Sequence, residues 1–316
     1  CFATKKEAEA EGPEIIGIYD DVCKDYLAMP SLIGRKSEKE KFAGAEYTTS
    51  LEFIMPNGKS IQGPDFHFDG QNFSKAFEIS FTNEKGEKDY VWQNTWAIST
   101  RMIGVLIAMH GDDKGLVIPP KLAITQAVIV PILFEDSKKD VLKKAKDIKK
   151  SLEKKGISVY LDDRENYSPG WKFNEWEMKG VPVRIEIGPR DLEKHQAMVA
   201  RRDTSEKQAL ELTAIADEVR ILLDDIHKNL FDKAQKVLDN CIVKVDNLKD
   251  AKKAFKDKKI AFAPWCGSVP CEDIFKEKSG AKSLNSPEEQ PKLKKGQKCS
   301  FCKEEAKYWF HFGKSY

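Results

Sequence analysis

The chain has 316 residues, with 53 Lys plus Arg against 51 Asp plus Glu for a net charge of +2, and is 41% hydrophobic and 33% charged. At about 100–200 residues per domain, that length holds two or three domains with cores of their own. The composition excludes a disordered chain and a strongly basic histone-like binder. No apolar run approaches the ~20 residues of a membrane span, so neither membrane nor DNA is expected as a partner. Seven cysteines are too few for a disulfide scaffold. Four of them fall in two close pairs near the C-terminus, which reads as metal binding in a reducing compartment and hence a cytoplasmic location. The chain opens Cys1-Phe2-Ala3-Thr4 without an initiator Met, so sequence upstream is expected to be missing.

Glu14 to Leu27 carries Ile15, Ile16, Ile18, Tyr19, Val22 and Leu27, which predicts a short amphipathic helix. Tyr47–Met55 and Ser60–Phe68 are β-rich and flank the turn signal Pro56-Asn57-Gly58. Ala76–Thr82 and Tyr90–Trp96, joined through Asn83-Glu84-Lys85-Gly86, predict a second hairpin and, with the first, an antiparallel meander. Ser99 then opens an apolar helix with Met102, Ile103, Leu106, Ile107 and Met109, ending near His110-Gly111. Arg101 sits in its first turn, where a charge that cannot be neutralised needs an anionic partner. Asp112 or Asp113 could supply it as a salt bridge, and so could a bound triphosphate.

From Gln126 the pattern becomes strand, helix, strand. Ala127–Val130 is a buried strand; Asp136 is a candidate N-cap for a helix carrying Val141, Ala145, Ile148 and Leu152, and Gly156 stops it. Ile157–Leu161, Val183–Ile187 and Ala197–Ala200 supply further strands, and Ser205–Asn229 reads as a long helix. This is an α/β domain of about 100 residues. Its run Tyr167-Ser168-Pro169-Gly170-Trp171-Lys172-Phe173-Asn174-Glu175-Trp176-Glu177 mixes aromatics, cations and carboxylates, and Arg184, Arg190 and Asp191 follow. Aromatics stack unpaired bases, arginines hold phosphates or guanine edges, and carboxylates accept from base amino groups. A hairpin with its own surface ion pairs explains the same residues.

Cys266-x4-Cys271 and Cys299-x2-Cys302 are spaced so that each pair turns back onto one ion. Four thiolates suit tetrahedral Zn²⁺ and leave no open position for water, which predicts a structural metal clipping the Lys-, Ser-, Pro- and Glu-rich segment between them. Two disulfides are the alternative, disfavoured because nothing suggests secretion.

The stretches Gly34-Arg35-Lys36-Ser37-Glu38-Lys39-Glu40-Lys41-Phe42-Ala43-Gly44-Ala45, Gly70 to Phe77, Ser99-Thr100-Arg101 and His110 to Val117 resemble prolyl-tRNA synthetases of the archaeal/eukaryotic-cytosolic type. The likeness is densest at Tyr167–Val183 and Arg184–Asp191, and extends to the ending Phe312-Gly313-Lys314-Ser315-Tyr316. It implies an α+β and α/β protein in three parts: the C-terminal part of a class II antiparallel-sheet catalytic core (1–122), an α/β anticodon-binding domain (123–228) and a small zinc-bearing α/β domain (229–316). The resemblance further implies a ligase that joins proline to tRNA(Pro) through prolyl-adenylate, with ATP as substrate, Mg²⁺, and a homodimer in the full-length protein. On matching positions, Arg101 would grip the γ-phosphate of ATP, and Gln62 and Ser99 would line the ATP site. His67 and Ala97 would stand at the proline pocket. Glu177, Arg184, Arg190 and Asp191 would read two guanines of the anticodon, and Cys266, Cys271, Cys299 and Cys302 would hold zinc. Tyr316 would fold back toward the catalytic part. Adenylate chemistry of this kind rests on positioning and charge neutralisation, which agrees with the lack of a nucleophilic triad.

Two departures stand out. Relatives place Gly-Thr-Ser-His where this chain has Pro64-Asp65-Phe66-His67, followed by Phe68-Asp69, and Ala97 replaces a glycine. Two unit charges ~4 Å apart at an effective dielectric of about 20 repel by roughly 4 kcal/mol, so Asp65 beside phosphate would depress activity unless Mg²⁺ absorbs its charge. The first two class II motifs are not found in these residues, so the chain alone is expected to be inactive in adenylate formation. A non-catalytic tRNA-binding paralogue is the competing reading.

Overall fold

The computed structural model describes residues 1–316. In chain order the first elements are α1 (Lys5–Asp21), β1 (Leu32–Arg35), β2 (Tyr47–Ile54), β3 (Ser60–Gly70), α2 (Asn72–Ala76), β4 (Ser80–Thr82), β5 (Lys88–Tyr90), β6 (Gln93–Ala97) and α3 (Arg101–His110). The middle holds β7 (Ala127–Pro131), α4 (Lys138–Lys154), β8 (Val159–Leu161), α5 (Pro169–Met178), β9 (Val183–Ile187), α6 (Pro189–Glu193), β10 (Gln196–Arg201), β11 (Lys207–Glu211) and α7 (Ile215–Cys241). The rest comprises β12 (Ile242–Lys244), α8 (Leu248–Lys256), β13 (Ile260–Trp265), α9 (Val269–Ser279), β14 (Lys282–Ser283) and β15 (Tyr308–Gly313). The fold is mixed α/β. Two compact units divide the chain: one of residues 1–23, 30–105 and 235–316, the other of 24–29 and 106–234.

The first unit contains two four-stranded sheets. One is antiparallel with order β1-β2-β3-β6; the other has order β12-β13-β15-β14, with β12 parallel to β13 and the remaining pairs antiparallel. Phe66 and Phe68 of β3 are buried, and the Phe66 ring lies so close to Gly12 of α1 that a side chain at Gly12 would crowd it. The predicted second hairpin, Ala76–Thr82 with Tyr90–Trp96, forms only in part. β4 and β5 form a small sheet of their own, while β6 crosses back to pair with β3. Glu78 at φ +57 ends the helical turn of α2 and leaves only three residues to β4. The N-terminal helix begins at Lys5 rather than Glu14, because Thr4 and Glu7 form a reciprocal capping box ahead of it.

The second unit is built on one five-stranded sheet, order β11-β10-β9-β7-β8, in which β8, β7 and β9 run parallel and β10 and β11 are antiparallel. Ile129 and Ile185 face a core with Val141, Ile148 and Leu152 of α4 and Val219 and Leu223 of α7. Val128, Val130 and Trp176 pack on the other face, under α5. Three expectations change here. Ser205–Asn229 is not one helix: Asp203-Thr204-Ser205 turns, with Ser205 at φ +61, so Lys207–Glu211 pairs as an edge strand before α7 starts at Ile215. Ser137, not Asp136, flanks the start of α4. Tyr167–Glu177 is not a hairpin: Ser168 accepts from the Trp171 amide at 3.3 Å and Pro169 occupies the first turn, starting α5.

Candidate functional site

β3 presents Asp65, His67 and Asp69 at alternate positions, so their side chains share one face of the first sheet. Thr48 Oγ1 lies 2.9 Å from His67 Nδ1, Asp65 Oδ1 lies 3.4 Å from Nε2, and the Phe42 ring lies 4.8 Å from the imidazole. Gln62 Nε2 donates to Asp65 Oδ2 at 2.6 Å, and Arg101 Nη1 donates to the Gln62 carbonyl at 3.0 Å. Gln62, His67 and Arg101 are thus brought together, with Asp65 between Gln62 and His67. Arg101 is exposed and does not pair with Asp112 or Asp113; that expectation is corrected, because Arg101 opens α3 and both carboxylates lie past its last residue, about 15 Å of helix away. Ala97 lies directly opposite Asp65 in the β3–β6 register. Ser99 is exposed, and its carbonyl accepts from the Met102 amide at 3.1 Å at the start of α3. Asp69 is buried with Oδ1 unpartnered; burial raises its pKa against the Thr95 hydroxyl, which donates to Oδ2 at 2.6 Å.

In the second unit Glu177 and Arg184 line one cavity of about 220 Å³. The Arg184 guanidinium lies 4.6 Å over the Phe173 ring, and its Nε donates to Glu186 Oε1 at 3.0 Å. Lys207 Nζ donates to the same oxygen at 2.8 Å and sits 5.3 Å from Phe173. Glu177 Oε1 accepts from Lys114 Nζ at 3.0 Å. Arg190 and Asp191 do not line this cavity. Arg190 is exposed on α6, and Asp191 Oδ2 accepts from the Gly188 amide at 2.9 Å, capping that helix. Cations and a carboxylate at one opening, Arg184, Lys207 and Glu177, can meet acceptors and donors on the edge of a planar base.

Sequence reasoning missed Lys207 and Arg202 at this site, and named Phe173 only as one of the aromatics in its run. Arg202 is 5% exposed; its Nε donates to the Glu177 carbonyl at 2.8 Å, while its two terminal nitrogens bind Asp112 at 2.6 and 2.8 Å. The signal available was the adjacent pair Arg201-Arg202 at the end of a strand, where successive side chains point to opposite faces. Asp162, fully buried, was also missed. Burial alone would raise its pKa, but the bonds from Arg164 and Trp176 and the charge of Lys172 bring it down to about 2.

The four C-terminal cysteines converge, their sulfurs all within 4.8 Å of one another. The close contacts run between the sequence pairs, Cys266 to Cys302 at 3.5 Å and Cys271 to Cys299 at 3.8 Å, and all are free thiols. A Zn–S bond of about 2.3 Å in a tetrahedron puts sulfurs roughly 3.8 Å apart, so the donor set fits a four-thiolate ion. The Phe301 amide lies 3.5 Å from Cys299 Sγ, a donor suited to a thiolate. Cys271 and Cys299 share one hydrogen bond, which lowers the Cys299 pKa and raises that of Cys271.

Residues 126–222 match the model of an anticodon binding domain, and residues 248–316 match the model "Prolyl-tRNA synthetase, C-terminal". The chain is 45% identical, over all of its length and 61% of the relative's, to a cytoplasmic proline–tRNA ligase of Arabidopsis thaliana. It is 45% identical to a proline–tRNA ligase of Alkaliphilus oremlandii and 44% identical to proline–tRNA ligase 2 of Bacillus cereus, with 99% of the chain covered in both and 64% and 65% of the relatives. The chain therefore spans a little under two thirds of the length of these curated relatives. No helix is long and apolar enough to cross a membrane. Along its whole length this chain is similar to prolyl-tRNA synthetases, with an anticodon-binding domain followed by the C-terminal domain of those enzymes.

Proposed function

We propose that this chain belongs to a proline–tRNA ligase and works in the cytoplasm by holding tRNA(Pro) through its anticodon while the first unit contributes to an ATP and proline site. The observation that carries the reading is the cavity of the anticodon-binding domain that Glu177 and Arg184 line together, with the Arg184 guanidinium stacked on the Phe173 ring behind it. Arg184 offers paired donors to the O6 and N7 acceptors of one guanine, and Glu177 accepts from an amino group. Arg190 and Asp191 serve the second guanine, with Asp191 exchanging its bond to the Gly188 amide for one to the base.

In the first unit, the antiparallel sheet is read as part of a class II catalytic core, within residues 1–122. The exposed Arg101 is placed to neutralise the terminal phosphate of ATP, which arrives with Mg²⁺. Gln62 and Ser99 line the nucleotide site, and His67 and Ala97 border proline. The four cysteines would hold Zn²⁺, which supplies a fixed tetrahedral cross-link and no reaction step. Residues 123–228 and 229–316 form the other two parts, and the full-length protein is a homodimer.

One observation favours a second reading, a tRNA-binding paralogue without catalysis: Asp65 occupies Gln62 Nε2 and stands beside His67, adding negative charge where phosphate would come. Proline-dependent ATP–pyrophosphate exchange separates the two, with none expected from this chain by itself and turnover from the longer protein only under the ligase reading. The common core of both readings is tested with two full tRNA transcripts differing only at the two anticodon guanines. The guanine-bearing transcript binds at least tenfold tighter; equal binding contradicts it.

A further inference from the structure

A second cavity of the anticodon-binding domain, about 460 Å³, opens at the C-terminal ends of β7 and β8. Its volume is in the range of small-ligand sites. Its aromatic lining is open to solvent. Phe134 is 61% exposed, and Tyr167, 38% exposed, stacks on Trp171 with ring centroids 4.0 Å apart. Arg164 lies alongside that stack, 4.9 Å from the Tyr167 ring and 5.5 Å from the Trp171 ring, and is fixed by bonds to Asp162 and Glu175.

The cations that line the cavity are already matched. Lys138 pairs with Glu165 at 2.7 Å, Lys172 donates to the Asp162 carbonyl at 3.0 Å, and Arg164 is held between two carboxylates. Such a pocket suits an uncharged planar group rather than a phosphate. Unmatched charge lies just outside it. Lys139, Lys143, Lys146, Lys150 and Lys154 follow at intervals of four, three, four and four, so they form one exposed stripe along α4, opposite its buried Val141, Ala145, Ile148 and Leu152. None of the five makes an ion pair, although α4 carries Asp140, Asp147 and Glu153. Like charges at this spacing repel one another, and a polyanion relieves that repulsion.

From these features, and resting on the tRNA reading above, we infer that the cavity between Phe134 and Tyr167 takes a third nucleobase of the bound RNA, next to the two guanines, and that the lysine stripe of α4 carries the phosphates of the same strand. Base stacking on an aromatic side chain tolerates any base, so this subsite adds affinity rather than sequence choice.

The test uses stem–loop RNAs whose loop carries the guanine pair, with each nucleotide flanking the pair replaced in turn by an abasic residue. One flanking abasic site weakens binding to the wild-type chain about fivefold or more, as expected for a lost stacking contact. The same RNA causes no further loss with Phe134→Ala, an exposed site whose variant keeps the circular-dichroism spectrum of the parent. Lys143→Gln/Lys146→Gln/Lys150→Gln lowers the slope of log affinity against log salt by about 2. Undiminished binding of both abasic RNAs, with guanine discrimination intact, overturns this inference alone. Loss of the guanine preference in the wild-type chain overturns the tRNA reading and this subsite with it.

Discussion

Arg202 grips Asp112 with two nitrogens on two oxygens, at 2.6 and 2.8 Å, and reaches with its third nitrogen to the carbonyl of Glu177. The guanidinium is buried while the carboxylate is half exposed, so the pair is a lever on the position of Glu177 rather than a surface ion pair. Asp112→Asn leaves that buried charge poorly matched and destabilises the second unit by about 1–3 kcal/mol, read by urea unfolding. Arg202 holds the Asp112 carboxyl down at about 2, so its contribution is present above its ordinary value near 3.8 and is lost as pH falls toward 2. Coincident unfolding curves for wild type and variant at pH 6 would remove this claim.

His311 is a second pH-sensitive position. It is 5% exposed, stacks on Phe262 at 4.5 Å, and meets Asn285 Oδ1 at 3.0 Å; burial pushes its pKa down to about 4 from the usual 6.5. Stability from the neutral ring is complete above pH 6.5 and is lost as pH falls toward 4, because the unfolded state takes up the proton first. The two values correspond to about 3 kcal/mol. His311→Gln, neutral throughout, should show a stability that declines less between pH 6.5 and 4 than that of wild type, as followed by denaturant titration at each pH.

The cysteine cluster makes a compositional prediction. Cys299→Ser lowers zinc from about one ion per chain to a small fraction of that, and residues 299–313 become protease-sensitive while the second unit stays folded. Elemental analysis gives the first answer and limited proteolysis the second. Zinc content unchanged by the substitution rules out the four-thiolate site.

A backbone position tests the packing of the first unit. Gly58, in the turn between β2 and β3, has φ +78, and a Cβ there would stand 2.3 Å from the Lys258 carbonyl. Gly58→Ala should cost at least about 1–3 kcal/mol, since both the left-handed backbone and the contact oppose it. A variant melting with the parent would show that this turn can move away.

Much of this molecule was legible from residue order. Turn residues and alternation located β2, β3, β7 and β9, and the spacing of four cysteines indicated their convergence. What escaped had physical reasons. β11 carries Lys207, Gln208 and Glu211 around Ala209 and Leu210, a composition as suited to helix as to an edge strand, and only the turn at Ser205 decides. Arg101 offered two partners, and the straight run of α3 carries Asp112 and Asp113 about 15 Å beyond its reach. The proximity of Gln62 and His67 to Asp65 is short-range on β3, yet the bonds among them depend on side-chain rotation that no periodicity records. Phe173 read as one aromatic among several until the fold placed Arg184 over it.

The central claim is that Arg184 reads a guanine of the anticodon. The direct measurement is the ratio of dissociation constants for loops carrying GG and CC, for wild type and Arg184→Ala at one salt concentration. The expected result is a ratio in the wild type that shrinks by about 5–150-fold in the variant, the loss of one bidentate base contact. A ratio unchanged by the substitution, with both loops weakened alike, would mean that Arg184 holds the RNA backbone and that the guanines are read elsewhere.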